Sequence, residues 1–472
     1  MNSPSIQHFV IPLNSHSEVE FLDQIGDQLN QQNYSVSYIP QDKHIAKTAK
    51  RRLNREELHL DYLDYQPNSN FGALCEKYEI DSPWDLVFPQ MVYDRSYDSP
   101  SYRTYWFSGT NSFSDQEYRN ILHRTLDYLD RLYENGNGGI PIQNQGGEIL
   151  RRALQSVADY HGCPSVRTSF SPVPSSVLIR STEEMEFPPL KNASYDEMTA
   201  EQREEAEEFR TSVTENQQQV MGGSDESESL YQNLHRKVRR IQEHKDNLSP
   251  VISNWVRRHI AKPVVGAAAK QLYLDETQSQ KFIESNKYVF YPIQYFRESR
   301  VTMRAPAFYN QLWMIEYLSR SLPPEYELVV KDHPRQLGAL PLSHAHKLRR
   351  YATAIAPTIS AREVLTESDA VVTLNNTVGY EAVMYGKPAV TLGDAFYSGA
   401  GYTWDVTAID SLSAKLNEAV NSDGLSDEEV LEFSHGLLQS SYEGDWEAVD
   451  SENIQAFTSS ILEFCEDTKS ER

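Results

Sequence analysis

The sequence predicts an α/β chain of two domains. Three observations carry that expectation: a β-α-β opening, a second alternation of strands and helices that begins near Lys287, and a polar, charge-rich stretch between them. At 472 residues the chain is also too long for one ordinary core.

QHFVIPL (Gln7 to Leu13) reads as a strand, EVEFLDQIGDQL (Glu18 to Leu29) as an amphipathic helix, and YSVSYIP (Tyr34 to Pro40) as the next strand. The theme returns with a short strand from Ile140 to Gln143, a Gly146-Gly147 turn, and a helix from about Glu148 to Tyr160 that Gly162 and Pro164 stop. Between about Lys191 and Asn247 two helical stretches flank a Gly222-Gly223 break, with apolar positions too sparse for a sustained heptad, which reads as a helical insertion or interdomain excursion, with disorder of part of it as the alternative. From Lys287 the reading runs as strand KYVFYPIQ, helix Ala307 to Leu322, strand YELVVKDHP, helix Ser360 to Ser368 and strand DAVVTL. A helix from about Val378 to Tyr385 follows, stopped by Gly386 and Pro388, and then the strand AVTLG. After Gly424 the chain reads as helical, opening with a capping box at Ser426 and Glu429.

The net charge of −24, from 44 basic and 68 acidic residues, disfavours nucleic acid and anionic lipid unless a local patch overrides it. Lys43 to Arg55 and His235 to Lys245 form two such patches. Each reads as a contact for a membrane or lipid-linked acceptor, or as a solvated helix face, and the second reading is favoured. No apolar run approaches bilayer length and MNSPSIQHF lacks a signal-peptide pattern, so a cytoplasmic protein is expected. Cys75, Cys163 and Cys465 are far apart and lack metal-ligand spacing, which suits buried thiols.

VVTLNNTVGYEAVMYGKPAVTLG sets Asn375, Asn376 and Thr377 where a strand gives way to a helix, with Glu381 one turn later. In an open α/β sheet, ligands bind beyond the carboxyl ends of strands, where helix N-termini offer N–H groups to anions. The Asn-Asn-Thr side chains can cap the helix or bind a phosphate, and Glu381 suits a ribose diol. A capped helix with a solvated glutamate is the plainer alternative. The earlier strand ends VVKDHPR, where alternation puts Lys331, His333 and Arg335 on one side, a set suited to a diphosphate or phosphodiester leaving group.

KDHPR followed by NNTVGYEAVMYGKPAVTLGDAFYSGAG resembles the signature of the capsule polysaccharide biosynthesis proteins, which include bacterial β-Kdo transferases. YVFYPIQYFRESRVTMRAPAFYNQLWMIEYL is similar to the family's opening strand and Gln-containing loop, so the resemblance covers about Tyr288 to Trp404. It implies a GT-B glycosyltransferase, two Rossmann-like domains facing a cleft, to which the residue patterns add a helical insertion and a helical C-terminus. The expected boundaries are 1–190 for the acceptor domain, 191–250 for the insertion, 251–423 for the nucleotide-sugar domain and 424–472 for the terminal helices. Carried across, His333 with Lys331 contacts the donor phosphate, Asn376 and Thr377 bind it at the helix N-terminus, Glu381 takes the ribose, and Gln294 and Glu298 line the cleft. Where the family has an acidic pair soon after the glutamine, this chain has Tyr295, Phe296 and Arg297 before Glu298.

The implied partners are a nucleotide-sugar donor and a glycan or lipid-linked acceptor, met at the inner face of the membrane if the protein associates peripherally, and no nucleic acid. No cofactor and no metal are expected. There is no Asp-x-Asp, no Walker loop and no nucleophile-elbow serine, and His344-Ala-His346 lacks partner ligands and reads as surface. Transfer also needs a group to activate the acceptor hydroxyl. Glu148 is the candidate, with a first-turn glutamate complementing the helix dipole as the equal alternative. A sugar-nucleotide 2-epimerase, a glycerophosphotransferase and a non-catalytic nucleotide-sugar-binding partner remain as other readings of the same pattern.

Overall fold

The computed structural model describes residues 8–53, 55–95, 113–215, 260–295, 298–333, 336–338, 342–446 and 448–470. The chain forms two compact units. The first gathers Met1–Gln90, Phe113–Asn192 and Gly436–Arg472, and the second Met91–Ser112 and Ala193–His435.

In the first unit the strands are β1 (His8–Leu13), β2 (Ser35–Pro40), β3 (Ile140–Asn144), β4 (Val166–Phe170), β5 (Ser176–Arg180) and β12 (Ser441–Glu443), in the order β12-β5-β4-β3-β1-β2. β1 to β4 are parallel, and β5 pairs antiparallel with both β4 and β12. Phe9, Val10, Ile11 and Leu13 are all fully buried, the continuous apolar run of a strand covered on both faces. The helix Glu18–Gln31 brings Val19, Phe21, Leu22, Ile25 and Leu29 to this core.

The residues after 423, expected as a separate helical tail, divide between the units. The last helix, Ser451–Ser470, buries Ile454, Phe457, Ile461 and Cys465 in the first unit's core, and β12 adds a strand to its sheet. Apolar burial decides this, because that stripe needs a core and the first unit supplies one.

The second unit holds β6 (Tyr288–Pro292), β7 (Glu327–Lys331), β8 (Thr353–Ala354), β9 (Ala370–Thr373), β10 (Ala389–Thr391) and β11 (Trp404–Asp405). Their order is β11-β10-β9-β6-β7-β8, all parallel. The chain moves outward from β6 through β7 to β8, then returns to the other side of β6 for β9. The direction reverses between β6 and β9, and in the first unit between β1 and β3. Each is a doubly wound sheet with one topological switch point, so the chain carries two α/β units of the same kind.

Several local expectations are revised. The helix expected from Ala307 to Leu322 is a 3-10 turn, Pro306–Phe308, and a separate helix, Gln311–Ser321, because the Asn310 side chain caps the second at Trp313 N (3.2 Å). His344, expected at the surface, is buried, and desolvation pulls its pKa down to about 4, while His346 is exposed. The basic patch near Lys43 includes the helix Lys43–Ala49, whose neighbours compensate charge: Lys43 pairs with Asp64 at 2.8 Å and Arg52 with Glu20 at 3.1 Å. The patch His235 to Lys245 lies outside the described residues. Of the expected insertion, the helix Ala200–Thr214 is described, and it packs on the second unit through the Tyr385 hydroxyl, which donates to the Thr214 carbonyl at 2.9 Å.

Candidate active site

The switch point of the second sheet is closed by side chains that follow β6 and β9. Gln294 Nε2 donates to Asn375 Oδ1 at 3.0 Å and to Glu298 Oε2 at 3.1 Å, and Asn375 Nδ2 donates to the Arg300 carbonyl at 2.9 Å. Asn376 Nδ2 reaches the Pro292 carbonyl at 3.3 Å, so both asparagines tie the β9 end to the β6 side. Gln311 was missed in the sequence. Fully buried, its amide accepts from Gln294 N (2.8 Å) and donates to Gln294 O (2.7 Å), fixing that backbone as a strand neighbour would. A glutamine at a helix start carries no signal of this.

Asn376 is the N-cap of the helix Thr377–Met384, its Oδ1 accepting from Val378 N at 3.0 Å. The cap leaves Thr377 at the first helical position, where N–H groups and the helix dipole favour an anion. Gly379 lets this helix approach the sheet. A Cβ there would lie 2.4 Å from Tyr397 Oη and 2.6 Å from Thr373 Cγ2, and Tyr397 Oη in turn donates to the Asn376 carbonyl at 2.6 Å. Gly386, at φ +67°, ends the helix as expected.

The β7 end is less uniform than strand alternation suggested. Lys331 is buried, its Nζ donates to the Pro357 carbonyl at 2.9 Å, and desolvation lowers its pKa. Asp332 is buried against the Tyr273 hydroxyl, which donates to it, and burial raises its pKa. His333 is partly exposed and stacks on Tyr295, ring centroids 5.7 Å apart and planes at 27°. Arg335 lies outside the described residues.

Glu381 is partly buried, on a helix that packs against the helices Ala200–Thr214 and Ala361–Glu367. Desolvation raises its carboxyl to about 7, opposed by the charge of Arg362, whose guanidinium donates to the Val213 carbonyl at 2.8 Å. The folded state therefore holds a proton that the unfolded chain releases near 4.5. The sign follows: this group's contribution to stability falls as pH rises from about 4.5 to about 7 and is constant above. Glu381→Gln is expected to match the wild type in melting temperature near pH 4 and to exceed it near pH 8. Parallel melting curves across that range would show that the carboxyl titrates normally.

In the first unit the switch point lies between the loops after β1 and β3, and a buried ionic bridge spans it. Glu18 accepts hydrogen bonds from Asn14 N and, at 2.9 Å, from Ser15 N, and Arg151 donates to its Oε2 at 2.6 Å. Arg151 also donates to Glu148 Oε2 at 3.0 Å. Glu148 is the N-cap of the helix Ile149–Tyr160 and its side chain stays 32% exposed, whereas Glu18 and Arg151 are buried. Gly146 leaves the space this pair occupies, since a Cβ would lie 2.2 Å from both Arg151 and Glu148 atoms. Glu18 and Arg151 passed unnoticed in the sequence as ordinary helix residues.

Away from both switch points, a polar cavity of about 450 Å³ opens at the amino ends of β9 and β10. Its cations are engaged, Lys387 with the Ser368 carbonyl at 3.0 Å and Arg210 with Asp427 at 2.8 Å. Among the described residues no cluster of three or more His, Cys, Asp or Glu could hold a metal, and no helix is long and apolar enough to cross a membrane.

The second unit is thus a doubly wound domain whose switch crevice joins an amide cluster to an asparagine-capped helix. Residues 196–426, just under half of the chain, match the family described as capsule polysaccharide biosynthesis protein. The match starts just before the helix Ala200–Thr214, so that helix lies within the matched segment. Protein FixF of Sinorhizobium fredii (strain NBRC 101917 / NGR234) is 30% identical over 163 residues, 33% of this chain and 38% of FixF. The chain thus spans well under half of that relative. Among solved structures, the Thermosulfurimonas dismutans KpsC β-Kdo 2,7 transferase aligns at 13% identity over 75% of this chain and 97% of its own, with a TM-score of 0.34. The β-Kdo 2,4 transferase of the same organism aligns at 14% over 68% and 86%, TM-score 0.37, and S. aureus MnaA with UDP at 10% over 98% and 97%, TM-score 0.29. At these scores the likenesses carry no functional argument.

Proposed function

We propose that this protein is a glycosyltransferase of capsule or surface polysaccharide biosynthesis that uses a nucleotide-activated sugar. The observation that carries the reading is the switch crevice between β6 and β9, built inside the family-matched segment from Gln294, Asn375 and the Asn376-capped helix. The donor phosphate lies at the N-terminus of the helix Thr377–Met384, on its N–H groups and the Thr377 hydroxyl, with the partly exposed His333 as a ring N–H donor to it. Lys331 contributes only if its amine leaves the Pro357 carbonyl, and Arg335 is the remaining cation of this segment. Glu381 takes the ribose. In the reaction the bond from the sugar's anomeric carbon to the phosphate oxygen breaks, a bond to the acceptor oxygen forms, and Glu148 removes the acceptor's proton. The phosphate's negative charge stays on the nucleotide.

A thermal-shift screen against CMP, UDP, GDP and their sugars, followed by a glycan-elongation assay with the best ligand, tests this. Free epimerised nucleotide sugar or transferred glycerol phosphate in place of elongation would overturn it. His333→Ala is expected to weaken nucleotide binding by about 1.5–3 kcal/mol, the worth of a charge-assisted hydrogen bond; unchanged affinity would remove His333 from the site. The leaving group is stabilised here by side chains and the helix dipole, so activity is expected to survive EDTA. Loss that magnesium restores would point to a metal-assisted design.

A further inference from the structure

Gln294 is 2% exposed, and hydrogen bonding fixes which way its amide points. Its Nε2 donates to Asn375 Oδ1 and Glu298 Oε2, both acceptors. Asn375 Nδ2 is held by the Arg300 carbonyl, so Asn375 presents oxygen to Gln294. Turned over, the amide would set its own oxygen against two others. Among the described residues, that leaves Gln294 Oε1 as a buried acceptor without a hydrogen-bond partner. The Gln311 amide clamps the Gln294 backbone at both N and O, and the two Nε2 hydrogen bonds hold the side chain itself.

This unmet oxygen stands at the switch point of a parallel sheet, beside a capped helix N-terminus, where ligands of such sheets bind. We propose that Gln294 Oε1 accepts a hydrogen bond from a hydroxyl of the sugar carried by the nucleotide, which makes it a specificity-determining contact. The inference rests on the glycosyltransferase reading above. An ionised phosphate has no proton to give and belongs at the helix N-terminus. Glu381, already assigned to the ribose, feels the charge of Arg362 on the helix Ala361–Glu367. The sugar is then the hydroxyl-bearing part left for this wall. Glu298, next to the amide, is also an acceptor, so the wall suits hydroxyl donors and disfavours a carboxylate on the sugar at that position.

The test is calorimetric binding of the wild type and Gln294→Met to whichever of a panel of UDP-, CMP- and GDP-sugars binds best, and to its bare nucleotide. The variant is expected to lose about 10- to 100-fold on the nucleotide sugar and less than about twofold on the nucleotide, since a buried acceptor built for a hydroxyl discriminates sharply. Independently of any variant, deoxyfluoro sugars made one position at a time should include one that the wild type binds correspondingly worse, because fluorine cannot donate. That loss should vanish in Gln294→Met. Equal losses on the bare nucleotide would move the contact to the nucleoside and overturn the proposal. So would additive losses, which mean that Gln294 only braces Asn375, or unchanged binding. A wild type that binds no nucleotide in the panel fails the glycosyltransferase reading itself, and this contact with it; a wild type that binds beside an indifferent variant sinks the Gln294 assignment alone.

Discussion

Glu148→Gln is expected to lower the rate of sugar transfer by about 10²–10⁴-fold, the usual worth of a general base, while leaving nucleotide affinity and melting temperature close to wild type. The substitution keeps size and the ability to accept from Arg151, which retains its ion pair with Glu18, and removes the negative charge together with the capacity to take a proton. The position supports the role: Glu148 stands at the switch point of the first sheet, and of the three ionic residues there it is the one whose side chain reaches solvent. Its N-cap position supplies no side-chain cap to the helix, so little stability is at stake in the neutral variant. A variant that keeps half of the wild-type rate, measured at saturating donor and acceptor, would make Glu148 the first-turn glutamate of the dipole reading and leave the base to be found elsewhere.

Arg151→Leu should be the most destabilising single change in the same network, by about 3–5 kcal/mol, because it strands a buried carboxylate. Glu18 is 3% exposed and would keep only the two backbone N–H groups of Asn14 and Ser15. Denaturant unfolding of the variant measures the loss. The double variant Glu18→Gln, Arg151→Met should recover most of it, since a neutral amide still accepts from the loop and the one carboxylate left without Arg151, that of Glu148, reaches solvent. A single-variant loss under about 1 kcal/mol, the level of an exposed pair, would mean that water reaches the bridge.

The two predictions concern one bridge, yet its members were unequally visible beforehand. Glu148 drew notice because two glycines precede it and a helix follows. Glu18 and Arg151 looked like ordinary residues of amphipathic helices, where a charged side chain is normally solvated. What buries them is the pairing of β1 with β3, strands separated by over a hundred residues of sequence. The second site shows the same division. The asparagine cap, the stop at Gly386 and the strand at Ala370–Thr373 follow from local chemistry and were readable in the chain. Gln311 was not, because its role depends on meeting the β6 loop. Lys331 shows the limit of alternation as a guide: the spacing suggested an amine at the strand's carboxyl end, and the fold instead gives that amine the carbonyl of Pro357.

The alternation of strands and helices, the two-domain organisation and the family signature of the second domain were determined by the sequence alone, because apolar periodicity, capping residues and glycine stops act within a few residues of one another. The C-terminal helix's membership of the first unit, the burial of His344, the Glu18–Arg151–Glu148 bridge and the unmet oxygen of Gln294 were decided only by tertiary structure. Each of these depends on strand order. Which loops meet at a switch point is set by how parallel strands are laid beside one another, and no local spacing records that.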